Sequence, residues 1–165
     1  ENGADKVSSI LRPLNNPSSK TAHVGLAINA LYCPSMPKHD HDYEVFINGG
    51  RTPTGLDVIE WAKEGVDLGA GEIVINSIDA DGMKQGYDLE LLNRLRDTVD
   101  VPIIASGGAG TIKHFIEGAT LGHADGLLAA SVFHFNTIPI PMLKDALIKA
   151  GVHIRPIKEA HYENN

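Results

Sequence analysis

The sequence predicts an α/β fold in which parallel strands are covered by outer helices, and three observations carry that expectation. Short apolar runs alternate with amphipathic stretches from residue 54 onward, the pattern of strands connected by helices. The apolar runs are near-continuous rather than alternating, as expected of strands buried on both faces. Glycine and serine gather where those runs end and the chain has to turn.

In chain order, residues 4–10 and Gly25–Tyr32 read as strands, with residues 9–40 otherwise mixing Pro, Ser, Asn and His without a firm period. Residues 43–48 read as an extended arm before the Gly49-Gly50 turn. Val58, Ile59, Ala62 and Val66 then share one helical face. Leu89, Leu92, Leu95 and Val99 share a second, and Ile112, Phe115, Ile116 and Ala119 a third. Between these stripes, residues 72–78, 101–106 and 125–131 read as buried strands. A final helix starts between Ile138 and Pro141, where proline is tolerated in a first turn, and runs to Ala150 with Gly151 as a left-handed cap. The expected domain is residues 1–155, with residues 156–165 as a flexible tail.

About five strands result, whereas a closed β/α barrel needs eight and about 250 residues. Open doubly wound sheets also use five, so the count alone leaves both architectures standing. The 165 residues are of single-domain size, with 42% apolar residues, 17 glycines and a formal charge of −7. That charge argues against nucleic acid as a partner, although a local cationic pocket for a small phosphorylated ligand is compatible with it. No run approaches the roughly 18 apolar residues of a membrane span, so no membrane association is expected. The start has neither the basic stretch nor the apolar run of a secretory signal and reads as the interior of a longer protein. One cysteine, Cys33, can form no internal disulfide, which fits a reducing, cytoplasmic setting.

Chemistry concentrates at the strand ends. Ser106-Gly107-Gly108-Ala109-Gly110 follows one strand, and Ala129-Ala130-Ser131-Val132-Phe133 follows the next. Glycine lets a backbone approach an anion, and exposed amides at such bends can donate to phosphate oxygens. Two consecutive bends would grip one phosphate, a placement that barrels often use after their last two strands; the plainer alternative is a pair of tight turns. Ser77-Ile78-Asp79-Ala80-Asp81-Gly82 ends another strand, where Asp81 could meet ligand hydroxyls or simply form an Asx turn with Gly82. His39-Asp40-His41-Asp42 lacks a full set of metal ligands and reads as a solvated loop, so no metal is expected. His134 and Cys33 have no evident activating partner and read as structural or incidental.

Taken together, Gly69-Ala70-Gly71-Glu72-Ile73, the Ser77 to Gly82 stretch, Gly86-Tyr87-Asp88, Ile104-Ala105 with the glycine loop, and Leu128-Ala129-Ala130-Ser131-Val132-Phe133-His134 resemble the cyclase subunit of imidazole glycerol phosphate synthase. The resemblance covers residues 41–155, and Gly3-Ala4-Asp5-Lys6-Val7-Ser8 resembles the start of that family's fourth strand. It implies a partial TIM-type β/α barrel comprising about the last five β/α units, with the remaining strands preceding residue 1. It also implies an enzyme of histidine biosynthesis that needs no cofactor. With ammonia from a glutaminase partner, such an enzyme converts a bisphosphorylated formimino-aminoimidazole-carboxamide ribonucleotide to imidazole glycerol phosphate and aminoimidazole carboxamide ribotide.

By the same resemblance, one substrate phosphate lies against Gly82, Gly107, Gly108, Ala130 and Ser131, with Asp81 beside them. Lys6 and Glu72 resemble members of the charged ring through which ammonia enters at the opposite mouth, and Asp5 a residue near the glutaminase interface. The family's first-strand catalytic aspartate has no counterpart here. Counting back from Val45-Phe46 without a gap puts Ser35 where its fifth-strand catalytic aspartate would stand, and a serine hydroxyl is no general acid or base at neutral pH. Ser8-Ser9-Ile10-Leu11 replaces the other phosphate motif, and the break over residues 9–40 is what a reading-frame slip or an erroneous sequence would leave. The isolated chain is therefore expected to be nearly inactive as a cyclase. One alternative is a non-catalytic phosphate-binding half-barrel that self-associates or is completed by an N-terminal segment; another is the sister isomerase barrel of the same pathway.

Overall fold

A computed structural model describes residues 25–34 and 42–155. The expected strand over residues 4–10, the atypical segment up to residue 24 and the tail from residue 156 lie outside them.

The chain runs β1 (Gly25–Tyr32), β2 (Tyr43–Ile47), β3 (Thr52–Asp57), α1 (Val58–Asp67), β4 (Glu72–Ser77), α2 (Leu89–Thr98), β5 (Ile103–Ser106), α3 (Ile112–Thr120), β6 (Gly126–Leu127), α4 (Ser131–His134) and α5 (Ile140–Lys149). One six-stranded sheet has the order β3-β2-β1-β4-β5-β6. β1, β4, β5 and β6 pair in parallel, each with the next parallel strand in the chain. That order never reverses, as in a partial barrel, whereas a doubly wound sheet has a reversal point.

Three features depart from the sequence-based expectation. β2 and β3 form an antiparallel arm, so the sheet is mixed rather than wholly parallel. β3 carries Pro53 and Gly55, residues that argue against a strand unless it lies at a sheet edge, which is where β3 lies. The run over residues 125–131 shortens to two ladder residues, because among the described residues β6 has a partner on one side only, and Ser131 opens the short α4 instead. Likewise β5 starts at Ile103: Pro102 has no N–H to donate, though its carbonyl accepts from Ile73 at 2.9 Å.

The sheet's two faces differ. Ile28, Ala30, Ile73, Ile75, Ile103 and Ala105 are buried and join a core with Val58, Ile59 and Ala62 of α1, Leu91, Leu92 and Leu95 of α2 and Phe115 of α3. Burying each of the larger side chains contributes about 1.5–3 kcal/mol. The intervening residues Asn29, Leu31, Val74, Asn76, Ile104 and Ser106 are only half-buried and point to the other face. Side-chain caps start the helices where the strands end: Asp57 accepts from Ile59 and Glu60, Asp88 from Leu91, and Thr111 from His114. Pro141 lies in the first turn of α5, and Gly151 follows it at φ +82°. Among the described residues, no helix is long and apolar enough to cross a membrane.

Candidate functional site

At the C-terminal ends of β4, β5 and β6 lies a cavity of about 320 Å³ lined by Asn76, Asp81, Gly82, Lys84, Ser106, Gly107, Gly108, Ala109, Leu128, Ala129, Ala130 and Ser131. It contains all six residues expected to hold a phosphate, so the two bends after β5 and β6 converge on one space. None of the amides of Gly82, Gly107, Gly108, Ala130 and Ser131 donates a hydrogen bond within the described residues, leaving these donors available. Because α4 is a single turn, its macrodipole is small, and what it offers an anion is local amides rather than a helix dipole.

The bend after β5 needs glycine for a steric reason. Gly108 has φ +97°, and a Cβ there would sit 1.9 Å from the Gly86 carbonyl oxygen. The same two residues are also hydrogen-bonded: the Gly86 amide donates to the Gly108 carbonyl at 2.9 Å, tying the loop after β4 to the loop after β5. On the other side, Tyr87 Oη donates to the Leu128 carbonyl at 3.1 Å, and its ring stands edge-on to Phe115 at 5.9 Å. Burial raises the Tyr87 phenol well above its ordinary range, so it stays protonated as a donor.

The loop after β4 closes as a turn, with the Asp81 amide donating to the Ser77 carbonyl and that of Met83 to the Ala80 carbonyl. Asp81 is exposed and lines the cavity, whereas the Asp79 carboxylate accepts from the Tyr32 amide at 2.7 Å and holds the end of β1. The two aspartates therefore divide between site and scaffold.

Beside the cavity runs a polar row that the sequence reading missed. Ser106 Oγ donates to Asn76 Oδ1 at 3.0 Å, and Asn76 Nδ2 donates to Asn29 Oδ1 at 3.2 Å, across three adjacent parallel strands. The available signal was a polar residue interrupting each apolar run. Ser35 lies outside the described residues, beyond the end of β1 at Tyr32; within β1 the polar side chain in this row is Asn29.

Glu72 opens β4 at the opposite end of the sheet, where its carboxylate lies 2.9 Å from the position a Gly25 Cβ would take. Lys6 and Asp5 lie outside the described residues, as do His39, Asp40 and His41. No cluster of three potential metal ligands occurs among the described residues. His134 is exposed against the Phe135 ring and does not line the cavity. At Cys33, burial first and then the Glu44 and Asp79 carboxylates raise the thiol, the reverse of an activated nucleophile.

A larger groove of about 470 Å³ lies elsewhere, beyond β6, between Phe115 of α3, Leu127 and Leu143 and Leu147 of α5. Its lining is mainly apolar.

Residues 14–139 match the family described as histidine biosynthesis protein. The chain is also similar to the imidazole glycerol phosphate synthase subunit HisF of Beutenbergia cavernae, at 45% identity over 161 residues. The match covers 93% of this chain and 62% of the relative, so the chain spans less than two thirds of that protein's length.

Proposed function

This chain belongs to the histidine biosynthesis protein family, and from that premise we propose that it forms the phosphate-gripping portion of an imidazole glycerol phosphate synthase cyclase. The observation that carries this reading is the convergence of two loops with free amides on one cavity that also holds Asp81. Such a cavity suits one phosphate of the bisphosphorylated ribonucleotide, with the polar row beside it facing the rest of the substrate. Ammonia would arrive from a glutaminase subunit at the mouth where Glu72 stands; Lys6 and Asp5 are assigned to ammonia entry and the glutaminase contact by resemblance alone. The setting is a cytoplasmic one, and neither a metal nor another cofactor is required.

In this reading Asn29, rather than Ser35, occupies the place of the fifth-strand catalytic aspartate. An amide exchanges no proton near neutral pH, so the chain by itself has little or no cyclase turnover. The test is an assay of the pure chain with excess ammonium and the bisphosphorylated substrate, run beside a phosphate titration. Phosphate binding with negligible turnover is expected; failure to bind phosphate defeats the reading.

A second reading, a phosphate-binding half-barrel completed by an N-terminal segment or by a second copy, is favoured by the half-buried sheet face and by β6, which pairs only with β5 among the described residues. Partly uncovered apolar side chains such as Leu31, Val74 and Ile104 on that face favour association. Sedimentation of the chain alone, then with an upstream fragment of a relative, tests it: a cooperative monomer that ignores the fragment refutes it.

A further inference from the structure

From the cavity at the strand ends we infer that Lys84 is the cation that engages the phosphate there, and that it determines the preference for a dianion over a neutral group. The inference rests on the reading of that cavity as a phosphate site. Among its lining residues only two carry charge, Asp81 and Lys84. Amides can donate to an anion but bring no net charge, and the Asp81 carboxylate repels one. With a formal charge of −7 the chain as a whole repels it too. A phosphate dianion held beside Asp81 therefore needs a positive group, and among the described residues Lys84 is the cation on the cavity wall.

Its position is fixed by the fold. Lys84 adopts φ +55°, a left-handed conformation uncommon for a side-chain-bearing residue. A Cβ on Gly110 would meet the Lys84 Cβ at 2.6 Å and its carbonyl oxygen at 2.8 Å, so the lysine backbone is pressed against the loop whose amides face the cavity. The Gly86 to Gly108 hydrogen bond clamps the same two loops two residues further on. Lys84 is exposed and forms no ion pair among the described residues, in contrast to Lys113, which pairs with Glu117 at 3.3 Å. Its ammonium is thus uncommitted, and a lysine serves phosphate as a point charge with three donors.

The experiment is titration of the full chain with inorganic phosphate by calorimetry, comparing wild type with Lys84→Met, Lys84→Arg and Lys113→Met. Lys84→Met should weaken phosphate about tenfold to a hundredfold, the loss of one charge-assisted hydrogen bond. Lys84→Arg should retain most of the affinity, and Lys113→Met, an equal change of net charge on α3, should leave it unchanged. Equal weakening by Lys113→Met would reduce the effect to net charge and overturn the assignment. Wild-type affinity in Lys84→Met would overturn it while leaving the cavity as a phosphate site; absence of binding to wild type would overturn both. Should Lys84→Met fold poorly, the Lys84 side-chain resonances of the wild type decide: a shift on phosphate addition supports the contact, and none refutes it.

Discussion

Asn76 donates from Nδ2 to Asn29 Oδ1 at 3.2 Å, and the two residues stand opposite each other in the parallel register of β1 and β4. Since Ser106 also donates to Asn76, this amide is the middle member of the row. Asn76→Ala removes both bonds at a half-buried site, at about 0.5–1.5 kcal/mol each. A loss of about 1–3 kcal/mol is expected in chemical denaturation, and an unchanged midpoint would show the row to be idle.

Asn29→Asp places a carboxylate at the same point, still able to accept from Asn76. If the proposed role of this position is right, ammonium-dependent turnover of the chain supplemented with upstream strands of a relative rises by about 10²-fold or more. Asn29→Ala should give no rise. Equal rates for the two variants would remove β1 from the chemistry.

Gly108→Ala forces a side chain into a left-handed conformation and against the Gly86 carbonyl. Backbone strain of this sort costs about 1–3 kcal/mol. Both the thermal midpoint and phosphate affinity should fall; a variant with wild-type phosphate binding would show that the bend does not shape the cavity.

Tyr87→Phe deletes the bond to the Leu128 carbonyl and should destabilise the fold by about 0.5–1.5 kcal/mol. Burial raises Tyr87 above the ordinary value of 10.0, and burial together with Asp88, whose carboxylate accepts from Tyr43 Oη, raises Tyr43. The folded chain keeps these protons where the unfolded chain releases them. Their stabilisation is therefore complete below about pH 10 and is lost as pH climbs past it. Stability measured between pH 9 and 11, about the titration range of a free phenol, should decline less steeply for Tyr87→Phe; identical slopes would contradict the assignment.

The helices were readable because period and burial agree: Leu92, Leu95 and Val99 are buried as their spacing requires, as are Val58, Ile59 and Ala62. The cavity-lining residues were readable because glycine and serine gather where the buried strands end and the chain turns; that they hold a phosphate is our proposal. β3 was not, since Pro53 and Gly55 mask a strand whose identity comes from the edge it occupies. Nor was the polar row, for which Asn29, Asn76 and Ser106 must be brought together from three distant stretches by strand register. Lys84 was passed over because a lysine in a turn looks solvated until the loop opposite is seen.

The neighbour-to-neighbour strand order has a kinetic meaning. From β4 onward, each parallel strand finds its mate one β/α unit away in the chain, and β2 and β3 meet through a tight turn. Closing one β/α unit at a time costs less chain entropy than pairing strands from opposite ends of the chain would. The sheet can therefore assemble by accretion, each segment docking on the one before it as it leaves the ribosome.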